Sequence, residues 1–450
     1  MRARQYFRHK QVEQAPVPAP SSDRASVAQR SNGALRAFAN RQYTRLWLAN
    51  FLSYTSRWMQ MPLLAWMVLE LTDSPWLVSL VGFFTMAPTL LLGLVGGMLV
   101  DMADRRRLLI VTQGGSALAG FLLTFLMLTG AVQVWHTYII TLATGVCWAL
   151  GFPSRRATIF DLVGASGVTN AVAIDTIGMN VSRMLGPGLA GILIALTGVE
   201  GGYAVVALCY GLGYLLLLSL RVEQTQRGAS DNRHVLRNLI DGMRYVSREP
   251  TLFCMVCITV VTNLLLFPYV PMIPVIARDV LHVGPTLMGA LQAVEGFGSL
   301  IGASVIASAV NLRYHGRIFV GGTLLGFLGM FLFSLSRWYI VSFPILLFLG
   351  FGIAGFATMQ TAIVLILARD EMRGRALGVV SLAIGAGPLG ALLIGSVADS
   401  VSPVFAIRIS ALMGIVALSG IVLALPAIID RTQPVSVAEG SDMAPNIEPK

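Results

Sequence analysis

Twelve apolar runs, each close to or longer than the ~20 residues a helix needs to cross a bilayer, fill almost the whole chain after residue 45. They lie near 46–70, 76–100, 107–130, 135–153, 171–197, 202–220, 251–277, 286–310, 317–336, 338–367, 376–398 and 403–429. In lipid every backbone N–H and C=O must find a partner inside the protein, so only helices and closed barrels can span. Barrel strands would read as alternating segments of about ten residues, and the sequence contains none. The expected fold class is all-α integral membrane with twelve transmembrane helices. Composition agrees: hydrophobic residues make up 55% and charged residues 12% of the chain, against about 25% charged in a soluble domain.

Basic residues orient the helices. Of the 32 Lys and Arg, 27 fall in the two ends and in the loops after even-numbered helices, including Arg105 to Arg107, Arg155, Arg156 and six arginines between 221 and 248. The opposite loops hold only Arg278 and Arg337. The positive-inside tendency then makes both termini and all even loops cytoplasmic, in what is expected to be a bacterial inner membrane. The net charge of +10 expresses this topology, and its dispersal over short loops argues against nucleic acid as a partner. Residues 1–42 and 431–450 are polar and read as cytoplasmic tails. Between the helical halves 43–220 and 251–430 lies a cytoplasmic linker, 221–250, in which "HVLRNLIDGMRYV" has helical spacing.

The halves echo one another. "GPGLAGILI" (186–194) in the fifth helix is matched by "GPLGALLIG" (387–395) in the eleventh, the fifth of the second half. Two six-helix, pseudo-symmetric halves are the architecture of alternating-access transporters. Enzymatic signatures are missing: the chain has two lysines, Lys10 and Lys450, neither in a phosphate-binding loop, and no nucleophile elbow or HExxH. No enzyme activity, cofactor or metal is expected.

The densest charge cluster, "GGMLVDMADRRRLLI" (96–110), sits between helices two and three. Its Gly97, Leu99, Asp101, Arg105 and Arg106 resemble the loop signature of the major facilitator superfamily. "LTDSP", "RMLGPGLAG" and "ARDEMRGRALGV" resemble the branch containing enterobactin exporters and macrolide efflux proteins, in order over about 41–430. Departures are Asp104, where glycine is usual, Met102, and Arg57 in helix one. The resemblance implies the major facilitator fold and efflux of a small molecule by alternating access. It implies that Asp101 faces the start of helix eleven near Ala376 and that Arg105 reaches Asp161, a cytoplasmic gate together with Gly97 and Arg106. It also favours export for a helix five that carries Gly186, Pro187 and Gly191 at close-packing spacing. By the same resemblance the cavity is lined by Trp58, Gln60, Trp148, Phe152, Asn263, Phe267, Met359 and Gln360. That set suits a bulky amphipathic or apolar drug, siderophore or metabolite.

Charges inside spans are costly unless paired or wet. Arg57, Arg183 and Glu295 lie roughly 14 to 18 Å into their helices at ~1.5 Å per residue, and Asp175 is nearer the cytoplasmic end. Glu295 is the only acid at mid-membrane. Desolvation there favours its neutral form and a neighbouring arginine its charged form, so it can load and unload a proton, with Arg57, Arg183 or Asp175 assisting. A static ion pair is the alternative. Protons are thus the expected coupling ion and the bilayer and a small solute the partners of a monomer. A facilitator or symporter importing a small solute, or a lipid flippase on the same fold, are the other functions this pattern allows. "FPYVPMIP" (267–274) sets Pro268, Pro271 and Pro274 three apart, which must break helix seven.

Overall fold

The structure is a computed structural model that describes residues 36–102, 104–221, 235–309 and 313–430, with the side chains of 93–102, 166, 235, 236 and 238 outside the description. The described secondary structure is helical throughout. Ten helices are long and apolar enough to cross a membrane. Two facts bring the spans to twelve. The stretch Gly167–Leu218 is 52 residues long and holds two spans, because Gly198 at φ 75° and ψ 177° reverses the chain there. Arg41–Thr72 is a 32-residue helix whose charges at Arg41, Arg45, Arg57 and Glu70 lower its hydropathy without shortening it.

The spans are α1 (Arg41–Thr72), α2 (Pro75–Met102), α3 (Arg105–Leu128), α4 (134–163), α5 (165–197), α6 (199–218), α7 (Pro250–Asp279), α8 (Pro285–Ser308), α9 (His315–Leu335), α10 (Tyr339–Leu367), α11 (373–400) and α12 (Pro403–Ala424). A surface helix, Val235–Arg248, precedes α7. Local chemistry explains the tight turns. Asn40 caps α1 by accepting from Gln42 N at 2.9 Å, and Asp104 caps α3 by accepting from Arg107 N at 2.9 Å. Pro75, Pro250, Pro285 and Pro403 open helices where an N–H would be orphaned anyway. Gly164, at φ 67°, turns α4 into α5 in a conformation that a Cβ would strain.

Span existence follows the apolar runs closely, and one boundary differs with consequence. Helix four, expected to end at 153, continues to 163. Arg155 is therefore a residue of α4, only 5% exposed, and not a loop residue. The end of the apolar run is a poor guide here because the last turns of α4 bury polar groups against α1 and α3.

The halves meet along two pairs, α5 with α8 and α2 with α11. The echoed glycine segments build both. A Cβ at Gly186 would lie 2.6 Å from Trp58 Cβ on α1, and one at Gly191 would be 3.0 Å from Gly289 Cα on α8. In the second half Gly390 abuts Leu264 and Pro268 of α7, and Gly395 abuts Ser79 of α2. Each copy packs once within its half and once across. The face bearing 36–40 and 426–430 is called the termini face below, and the other the far face.

Candidate functional site

Between the halves lies a cavity of ≈ 340 Å³, walled by Trp58, Met61 and Pro62 of α1, Gly82 and Met86 of α2, Arg183 and Pro187 of α5, and by α7, α8, α10 and α11. α7 reaches it through irregular backbone. Its first α-helical part ends at Val261, Thr262–Leu266 is one turn of π-helix, and Phe267–Met272 is 3-10. Pro268, Pro271 and Pro274 supply no N–H to continue the regular ladder. The widened turn brings Asn263, Phe267, Pro268, Val270 and Pro271 to the cavity wall, the placement in which π-turns recur. The expected break of helix seven is present, centred nearer the cavity than the helix end.

Arg183 and Glu295 join the halves at this cavity. Arg183 Nη2 donates to Glu295 Oε1 at 2.7 Å, and its guanidinium carbon lies 5.5 Å from the centre of the Trp58 ring. Glu295 keeps 8% side-chain exposure and Arg183 26%, so the acid is the more desolvated partner. Small residues set the register of the pair. Gly296 sits against Met184 Cα, with 3.0 Å available to a Cβ, and Gly350 of α10 lies directly on the Glu295 backbone carbonyl. Close backbone approach in a bundle needs such residues.

Asp175 and Arg57 belong elsewhere. Asp175 accepts from Asn50 Nδ2 at 2.8 Å and from the Tyr54 hydroxyl at 3.0 Å. Asn50 Oδ1 accepts from Arg155 Nη1 at 2.6 Å, and Arg155 Nη2 donates to Gln113 Oε1 at 2.6 Å. This buried network lies inside the first half. Arg57 donates to the Thr85 backbone oxygen at 3.1 Å and stacks 5.4 Å over Trp148; among the described residues it meets no carboxylate.

The cavity residues expected from the sequence divide. Trp58, Asn263, Phe267 and Gln360 line the cavity. Gln60 instead donates to Thr144 Oγ1 at 3.0 Å within the first half, and Trp148 and Phe152 line a separate small space with Arg57 and Arg155. Met359 is 2% exposed in the core. One residue along a helix is a rotation of about 100°, which turns Met359 inward where Gln360 faces the cavity. Met61, Met86, Gln292 and Phe356 line it too and were not anticipated. Gln292 carried a usable signal, being one turn before Glu295 on the same helix face.

At the termini face, Arg105 Nη1 and Asp161 Oδ2 pair at 2.8 Å, linking α3 to α4 within one half. Arg106 Nε donates to the Leu220 carbonyl at 2.7 Å, closing the end of α6. Asp104, the departure from the family loop, is the cap of α3 described above. Gly97 and Asp101 lie on the backbone of α2, and their side chains are outside the described residues. At the far face the halves are tied by polar contacts that loop composition did not suggest. Arg278 at the end of α7 pairs with Asp73 at 2.8 Å and donates to Leu69 O at 3.0 Å, and Ser74 donates to Asp399 at 2.9 Å. A cation at the carboxyl end of α1 also answers its dipole.

Two six-helix halves around a shared cavity, joined there by the Arg183–Glu295 ion pair, define a transporter of the major facilitator type rather than an enzyme. The chain belongs to the transmembrane secretion effector family of that superfamily, which matches residues 32–447. It is similar to a staphyloferrin A transporter of Staphylococcus aureus, 25% identical over 376 residues covering 82% of this chain and 91% of the relative. It is also similar to the multidrug efflux pump Tap of Mycolicibacterium fortuitum, 28% identical over 351 residues covering 74% and 84%, and to the enterobactin exporter EntS of Shigella flexneri, 24% identical over 363 residues covering 80% and 86%. Among solved structures, an inward-facing bacterial homolog of the human lysosomal transporter Spinster superposes with a TM-score of 0.64 at 16% identity, covering 86% of this chain and 95% of that one. A POT family transporter superposes with 0.68 at 12% identity, covering 87% and 97%. These two establish the fold.

Proposed function

We propose that this protein exports a bulky amphipathic small molecule, a siderophore, drug or similar metabolite, from the cytoplasm by alternating access in exchange for protons. Both termini are cytoplasmic in this reading and the protein works as a monomer. The relatives named above move siderophores or drugs, and the cavity has the size and the aromatic and thioether lining such solutes need.

The observation that carries the coupling is the 2.7 Å pair between Arg183 on one half and Glu295 on the other. While Glu295 is charged it holds Arg183 and the halves stay joined. Protonation from the external side removes the attraction and frees α5 from α8. Arginine keeps its proton throughout, so Glu295 is the carrier and Arg183 its reporter. The Arg105–Asp161 pair then braces α3 against α4, so that the first half moves as one body, and Asp101 completes the gate at the termini face. Asp175 and Arg57 serve the rigidity of the first half.

The test is Glu295→Gln in inverted vesicles and proteoliposomes. Uptake driven by a pH gradient stops, while substrate exchange without a gradient persists. A purely structural pair predicts something else: an arginine left unpaired costs roughly 3 to 5 kcal/mol, read as a large fall in melting temperature. A stable Glu295→Gln protein that still concentrates substrate under a pH gradient would sink the coupling role and move it to Asp175.

A further inference from the structure

Resting on the reading of the central cavity as the solute site, we infer that the cavity is polarised, donor wall against acceptor wall, and that it selects an amphiphile with a carboxylate or carbonyl at one end and a hydroxyl or amine at the other.

The first half contributes two polar side chains to the lining, Trp58 and Arg183. Both can only donate. The Trp58 indole N–H is itself closed to the cavity, so the donor wall is the guanidinium of Arg183, whose side chain keeps 26% exposure. Arg183 spends one N–H on Glu295 out of the five a guanidinium carries.

The second half presents the complement through Asn263, Gln292, Glu295 and Gln360. Their amide nitrogens are engaged within that half. Asn263 Nδ2 donates to Thr259 O at 2.9 Å, Gln360 Nε2 to Thr259 Oγ1 at 2.9 Å, and Gln292 Nε2 to Met288 Sδ at 3.8 Å. The orientation of Gln360 is determined by its partner: the Thr259 hydroxyl proton is given to Met255 O at 2.8 Å, so that oxygen can only accept. With the nitrogens turned away, the three amide oxygens accept no hydrogen bond from the described residues, and none of them is sealed from the cavity.

A buried polar group left without a partner opposes binding far more than a made hydrogen bond favours it. A solute with polar groups of one kind therefore satisfies one wall and strands the other. A solute with acceptor and donor at opposite ends satisfies both, with its acceptor end against Arg183 of α5 and its donor end against α7, α8 and α10. Arg183 and Gln360 are the specificity-determining residues of this arrangement, and the apolar middle of the solute packs on Phe267, Phe356 and Met61.

The experiment is calorimetric titration of the purified protein in nanodiscs, corrected against empty discs, with three naphthalenes of one shape: 6-hydroxy-2-naphthoic acid, 2-naphthoic acid and 2-naphthol. The two-ended compound binds about tenfold more tightly than either single-ended one, the size of one net hydrogen bond. Arg183→Lys keeps a cation opposite Glu295 and removes the guanidinium fork; it weakens both acids about fivefold to tenfold and leaves 2-naphthol unchanged. Gln360→Leu does the reverse, weakening the two hydroxyl compounds and sparing 2-naphthoic acid. Equal affinity of all three for the wild type, or loss of all three in equal proportion in either variant, overturns the polarised wall while leaving the cavity as a solute site. Failure of all three to bind the wild type overturns both.

Discussion

Replacing Gly191 by alanine adds one methyl group at the tightest contact between the halves. A Cβ there collides with the Pro285 carbonyl oxygen and comes within 3.0 Å of Gly289 Cα. Both obstacles are backbone, which cannot rotate aside as a side chain would, so α5 and α8 must separate. Inserting a methyl into a packed interface costs typically 1 to 3 kcal/mol. Because this contact exists where the halves are joined on the far face, most of that cost falls on the far-face-closed state. A cost of about 2 kcal/mol multiplies the ratio of open to closed by roughly 30. The assay is thiol labelling. Met61→Cys, on the cavity wall, is placed in a background lacking Cys147, Cys209, Cys254 and Cys257, and a membrane-impermeant maleimide is added on the far face. Gly191→Ala should raise the labelling rate by that order, and Gly289→Ala should do the same from the other helix. Labelling rates indistinguishable from the Gly191 parent, in a protein that remains folded, would refute the claim that this contact closes the far face.

Arg278→Gln, by removing the tie to Asp73 and Leu69, should act in the same direction but by less than about fivefold, since Asp73 is largely exposed and surface pairs are worth ~1 kcal/mol or less; the same maleimide assay reads it. Arg155→Met should lower the melting temperature sharply, because Asn50, Gln113 and Ser53 lose their common donor in a buried site where each orphaned group costs roughly 1 to 3 kcal/mol; a melting curve within a degree or two of wild type would contradict this. Arg105→Gln should destabilise by leaving Asp161 buried and unpaired, and the double change with Asp161→Asn should recover much of the loss in the same thermal assay. Reporter fusions after Val132 should score external and those after Arg107 cytoplasmic; reversal of both would invert the proposed topology.

The spans, their number and the family were legible in the chain because they depend on short-range physics. A run of about twenty apolar residues must be helical in lipid whatever surrounds it, and charge bias and the repeated GP segments are read one stretch at a time. Glu295 stood out for the same reason, as a charge in an apolar run. Its partner did not: Arg57 and Arg183 sit at similar depths, and only the packing of Gly296 on Met184 and of Gly350 on the Glu295 carbonyl selects Arg183. The azimuth of each side chain was equally beyond sequence, since lipid-facing, core-facing and cavity-facing positions in a membrane helix share one composition. Gln360 therefore reaches the cavity while Met359 beside it is core, and Trp148 stacks under Arg57 away from the cavity. Arg155 looked like a loop cation because its sequence neighbours are polar, yet its hydrogen-bond partners, Asn50, Ser53 and Gln113, are brought from α1 and α3 by tertiary contact alone. What the chain states by itself is which segments enter the membrane; which faces of those segments meet is settled by glycine contacts and by buried hydrogen bonds, the latter between residues as many as 150 positions apart, a relation that no local pattern encodes.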